Sequence, residues 1–183
     1  MEFLLALAVV ALGGIGARRY FFGFAAQTPA HYAGSVPTMD IARNLSGEMV
    51  CDGVIFGPAG RVTNRFVARM AGTWTDSTAT LSEDFTYGDG RTQARKWSIT
   101  MGENGHFTAT APDIVGVAQG QQSGATARMT YRLRLTEAAG GYVLDVVDWL
   151  YLTDDGTILN KSEMRKFGVK VAELIATIRP VST

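Results

Sequence analysis

Cysteine and histidine are almost missing from these 183 residues, which hold one Cys and two His. A single thiol, Cys51, excludes an internal disulfide and any thiolate zinc cluster. His31 and His106 stand far apart, away from the helix-face spacing that lets two imidazoles share a metal, so no metal site is expected. Net charge is missing too. Seventeen basic side chains balance seventeen acidic ones, so no field of one sign draws the chain to a polyanion, and nucleic acid is not an expected partner. Neither G-x-G-x-x-G nor a P-loop occurs, there is no internal repeat, and no cofactor is expected.

What is present is apolar sequence, 46% of the chain, enough for one domain with a sizeable core and an N-terminal appendage. Residues 3–17 are an uninterrupted apolar run, followed by Arg18, Arg19 and the aromatics Tyr20, Phe21, Phe22 and Phe24. Fifteen helical residues reach only about 22 Å, but snorkelling arginines and interfacial aromatics extend the span toward Phe24. Residues 1–26 therefore read as an uncleaved membrane anchor, which places the protein at a membrane. A signal peptide fits less well, because Glu2 replaces the usual cation and two arginines occupy the cleavage region. A helix packed on the domain is the third reading. The two arginines favour a cytoplasmic C-terminal domain only weakly, so the side stays open. Residues 27–44, with Pro29, Gly34 and Pro37, read as a linker, and the domain proper starts near Leu45, over 45–183.

From there the chain is strand and turn. Strands are expected at 46–56, 61–71, 78–87, 91–101, 106–111, 114–118, 125–135, 142–152, 157–164 and 169–178, with turns at the short spacing of an all-β sandwich or barrel. The glycine-rich stretch 116–124 precedes a strand instead of a helix and reads as a flexible connection or rim loop. Two hairpins have arguable register. A three-residue loop with Gly90 left-handed sets Phe85 opposite Gln93, Glu83 opposite Arg95 and Leu81 opposite Trp97. Asp154, Asp155 and Gly156 form a turn that sets Leu152 opposite Ile158, Leu150 opposite Asn160 and Asp148 opposite Ser162. A third connection sets Tyr131 against Val146 and Met129 against Asp148.

The inward faces are then aliphatic and aromatic with a sparse polar set: Glu83, Arg95, Asp148 and Asn160, near Trp97 and Tyr131. Apolar walls with a few placed polar groups are how small-molecule sites are built. The same groups also read as an internal ion pair and a buried network that satisfy one another. Catalysis, with Asp148 or Glu83 as a base raised by burial, is the third reading. Lys161, Arg165, Lys166 and Lys170 make a basic cluster that reads as a solvated face or a contact for anionic lipid heads.

The segments L-S-E-D-F-T-Y-G-D-G at 81–90, R-K-W at 95–97, D-I-V-G-V-A-Q-G at 113–120, D-W-L-Y at 148–151 and N-K-S-E-M-R-K-F-G at 160–168 occur in order. Together they resemble an uncharacterised bacterial family, catalogued as a domain of unknown function, whose members are lipocalin-like and often carry a lipoprotein signal or membrane segment. The resemblance implies a calycin-type antiparallel barrel of about 8–10 strands behind an N-terminal hydrophobic helix, in the cell envelope. It brings no catalytic residues with it, and the chain lacks the acylated cysteine of the lipoprotein members. The expectation is a membrane-anchored protein binding a hydrophobic or fatty-acyl, lipid-derived molecule in its barrel, with Arg95 toward an acidic head. The alternatives are an enzyme acting on such a lipid and a filled barrel serving as an assembly or structural factor.

Overall fold

The computed structural model describes residues 23–181. The apolar run at 3–17, on which the anchor reading rests, lies outside them. Among the described residues no helix is long and apolar enough to cross a membrane.

Ten strands follow one another: β1 (Gly47–Phe56), β2 (Val62–Thr75), β3 (Thr78–Tyr87), β4 (Thr92–Met101), β5 (His106–Thr110), β6 (Ala118–Ser123), β7 (Thr126–Arg134), β8 (Val143–Leu152), β9 (Ile158–Lys166) and β10 (Val169–Pro180). Each pairs antiparallel with its sequence neighbours, and β10 closes on β1. The result is an all-β, lipocalin-like closed barrel.

The turns set the registers. At the β3–β4 hairpin Gly90 takes φ +83°, a conformation open to glycine, and the Tyr87 N–H donates to Arg91 O at 2.9 Å. Leu81, Glu83 and Phe85 consequently face Trp97, Arg95 and Gln93. At the β8–β9 hairpin Asp155 Oδ1 accepts from the Thr153 hydroxyl at 2.6 Å and the Thr157 N–H at 3.0 Å, while Gly156 takes φ +82°. That brings Leu152, Leu150 and Asp148 opposite Ile158, Asn160 and Ser162. Tyr131 and Met129 face Val146 and Asp148.

The glycine-rich stretch is not a loop. Residues 118–123 form β6, paired with β5 and β7, whereas of the strand expected at 114–118 the part before Ala118 contributes only an isolated bridge from Ile114 to Leu133. Gly120 carries no side chain inward because the Phe107 ring from its cross-strand partner covers it; a Cβ there would lie 2.2 Å from Phe107 Cζ. Gly53 is covered in the same way by Phe66, at 2.5 Å.

The segment expected to be a linker closes one end of the barrel. Asp40 caps a short helix, α1 (Ile41–Asn44), accepting from the Ala42 N–H at 3.1 Å. Met39 and Ile41 are 2% and 1% exposed and belong to the core. The Met39 N–H donates to Gly124 O at 2.7 Å, the Ile41 N–H to Gln122 Oε1 at 3.0 Å, and Trp74 Nε1 to Leu45 O at 3.1 Å. Upstream, Tyr32 packs edge-on against Trp149 and Tyr151 on the outside of β8, at 5.3 and 6.0 Å between ring centroids, and Tyr151 donates to Gln27 Oε1 at 2.8 Å. Trp149 is fully buried beneath that strap. The apolar 27–44 positions thus do packing work that proline and glycine content concealed.

Candidate functional site

A cavity of about 880 Å³ occupies the barrel. Its floor is apolar, formed by Ile41, Leu45, Met70, Ile99 and Phe107, and at the other end it reaches Arg91, Thr136, Ala138 and Ala139 in the connecting loops. Glu83, Arg95, Trp97, Tyr131, Asp148 and Asn160 all line it. The alternation of β3, β4, β7, β8 and β9 points these side chains inward together.

Two polar clusters result. In the first, Trp97 Nε1 donates to Glu83 Oε2 at 3.2 Å, and Arg95 Nη1 stands 3.8 Å from the same oxygen. Arg95 also lies over the rings of Phe85 and Trp97, 5.9 and 5.6 Å from their centroids, and Tyr131 packs edge-on against Trp97 at 5.5 Å. In the second, Ser162 Oγ donates to Asp148 Oδ1 at 2.7 Å, and Asn160 Nδ2 donates to the same oxygen and, at 3.2 Å, to Trp149 O.

The sequence reasoning missed Asp113. Its Oδ2 takes Arg95 Nη2 at 2.7 Å and Nε at 2.9 Å. The reason lies in the barrel wall: β4 pairs with β5 only over Ser98 to Met101. Alongside the rest of β4 runs the chain between β5 and β6, held to β7 by the Val115 N–H on Arg132 O at 2.9 Å and the Arg134 N–H on Asp113 O at 2.8 Å. The Asp113 carboxylate reaches from that chain to Arg95 on β4. Nothing local marks Asp113, which follows Pro112 in what reads as a turn. The usable signal was Arg95 itself, since a buried guanidinium needs more acceptor than Glu83 alone supplies.

Burial pushes the Glu83 carboxyl up to about 7, against the pull of the Arg95 charge and the Trp97 N–H. Burial also raises Asp148, with the bonds from Ser162 and Asn160 drawing it partly back. Burial holds the Tyr131 hydroxyl well above its ordinary range, and the Asp148 charge adds to this. For Arg95, burial opposes the charge, but Glu83, Tyr131 and Asp113 more than restore it, so it stays protonated. Cys51 also lines the cavity, and burial pushes its thiol up to about 12, which makes it a poor nucleophile. Among the described residues no group of three or more His, Cys, Asp or Glu is placed to hold a metal ion.

Solved structures share this architecture, two of them superposing over most of the chain. An S-type phycobiliprotein lyase, CPES, from Guillardia theta superposes with a TM-score of 0.58 at 7% identity, over 86% of this chain and 99% of its own. Rv2717c from M. tuberculosis gives 0.56 at 13% identity, over 81% and 99%. At such identities the likeness is one of fold. No curated protein matches the sequence. A family model described as a protein of unknown function, DUF3833, matches residues 19–180, and the chain belongs to that family.

Proposed function

We propose that the protein binds a hydrophobic small molecule, lipid-derived, inside its barrel, and that the apolar N-terminal run holds the barrel at a membrane. The cavity carries this reading. Its volume of about 880 Å³ falls within the roughly 300–1,000 Å³ of small-molecule sites, and its walls combine apolar surface with a few fixed polar groups. A filled barrel would have spent that space on side chains, as small barrels do. Two of the positions lining the cavity are small, Ala109 and Ala127.

The test is native mass spectrometry of the full chain, purified gently in nonionic detergent from its own host, with extraction and identification of any bound mass. A discrete copurifying lipid-like molecule, lost from a variant with the cavity filled by Ala127→Trp, is the expected result. A clean apo mass that also takes up none of a panel of single-chain amphiphiles would refute binding and move the protein to the structural class.

The raised Glu83 carboxyl is also what a general base at neutral pH requires, which keeps an enzyme acting on the bound molecule as the second reading. Loss of turnover in Glu83→Gln with retained binding would establish it.

A further inference from the structure

We infer that the polar belt of the cavity selects a head group carrying a protonated nitrogen that donates N–H bonds, and not an acidic one; the inference rests on the cavity being a binding site. Three carboxyl groups lining the cavity, Glu83, Asp113 and Asp148, surround the Arg95 guanidinium, while Arg128, which also lines it, lies over the Trp149 ring at 6.0 Å. Arg95 is already committed. Its Nε and Nη2 are taken by Asp113 at 2.9 and 2.7 Å, and its Nη1 faces Glu83 at 3.8 Å. An acidic head finds the Nε–Nη2 edge of Arg95 taken by Asp113 and can approach only through Nη1, where the Glu83 carboxyl already stands and its charge opposes a second anion. Asp113 Oδ1 is buried without a hydrogen-bond partner as it stands.

Acceptors, by contrast, are in surplus. The bonds from Ser162 and Asn160 both land on Asp148 Oδ1, and the Trp97 and Arg95 contacts to Glu83 both go to Oε2. That leaves Glu83 Oε1 and, beside the Tyr131 hydroxyl that also bonds Asp148, the remaining capacity of Asp148 Oδ2 for a bound molecule. The two carboxyl groups sense each other's charge, so a cation placed between them relieves both. The remaining arginines near the opening do not alter this. Arg91 and Arg134 are exposed at the rim, and Arg91 is paired with Asp89 at 2.7 Å.

Three amphiphiles with one twelve-carbon tail separate the possibilities: dodecylamine, dodecanol and dodecanoate. Each is titrated onto the full chain in nonionic detergent at pH 7.5 and followed as an adduct by native mass spectrometry. The amine should saturate the protein at about tenfold lower concentration than the alcohol or the acid, the difference that a charge-assisted hydrogen bond gives. Glu83→Gln and Asp148→Asn should each cut that preference, read as the ratio of amine to dodecanol saturation within the same variant, to about threefold or less. Dodecanoate or dodecanol binding as tightly as the amine would overturn the inference while leaving the barrel a binding site. So would an amine preference that survives in the Glu83→Gln, Asp148→Asn double variant. Failure of all three to bind would remove the binding site itself.

Discussion

Arg95 on β4 and Asp113 on the chain after β5 meet at 2.7 Å where the backbone pairing between β4 and β5 has stopped. The pair joins the barrel wall where the backbone does not. Its side chains are 16% and 22% exposed, so water screens it only in part. Asp113→Asn and Arg95→Ala should each lower the unfolding free energy, and the double variant should lose less than the sum. A double-mutant cycle by denaturant unfolding should return a coupling of about 1–3 kcal/mol. A coupling near zero would mean the wall stands without the pair.

Glu83 makes stability depend on pH in a direction opposite to most carboxylates. Its carboxyl titrates at about 7 in the folded protein and near 4.5 in the unfolded chain. The folded state therefore binds the extra proton between those values. The stability this group contributes is complete below about 4.5 and is lost as pH rises through 7. The unfolding free energy from urea titrations between pH 4.5 and 8 should fall in the native sequence by up to about 3 kcal/mol from this source, and Glu83→Gln should flatten the slope. An unchanged slope in the variant would assign the pH dependence elsewhere.

Gly120 should not tolerate even a methyl group. The Phe107 ring occupies its inward side, with a Cβ placed 2.2 Å from ring carbon, so Gly120→Ala forces the ring off its position. A cost of about 1–3 kcal/mol is expected, recovered in part by Phe107→Leu, which makes room. Thermal unfolding of the three variants decides it; an additive result would show that ring and glycine do not interact.

Met39 sits at the closed end, 2% exposed in the core. Met39→Ala should cost about 2–5 kcal/mol, far more than a linker residue could. An unchanged melting temperature would return 27–44 to the status of a tether.

Cys51 should be inert. With its thiol pushed up to about 12 and its side chain 6% exposed, it should resist iodoacetamide in the folded protein and react only as the chain unfolds. Rapid alkylation under native conditions would reveal that the barrel opens beside β1.

How far the chain could be read in advance depended on which residues carry a side-chain signal. Gly90 and the Asp154, Asp155, Gly156 turn fixed two loop lengths, and from them the meeting of Glu83 with Arg95 and of Asp148 with Ser162 followed by counting. β6 escaped because its inward residues are Ala118, Gly120 and Gln122, with no apolar alternation to read. Its inward bulk is borrowed from Phe107 on the neighbouring strand. Met39 and Ile41 escaped because an isolated apolar pair after Pro37 has no period, and only the open end of a barrel gives it a destination. Asp113 escaped because its role is set by an absent piece of backbone pairing, a tertiary fact that no local pattern encodes.

The plug formed by Met39 and Ile41 makes the barrel a cup and not a conduit. Whatever enters past the rim must leave past the same rim, so one molecule cannot push its predecessor out from behind. For a barrel that holds a bound molecule, entry and release would then be separate visits to one opening, among the described residues, and a partner delivering the molecule and one taking it would have to use the same face in turn.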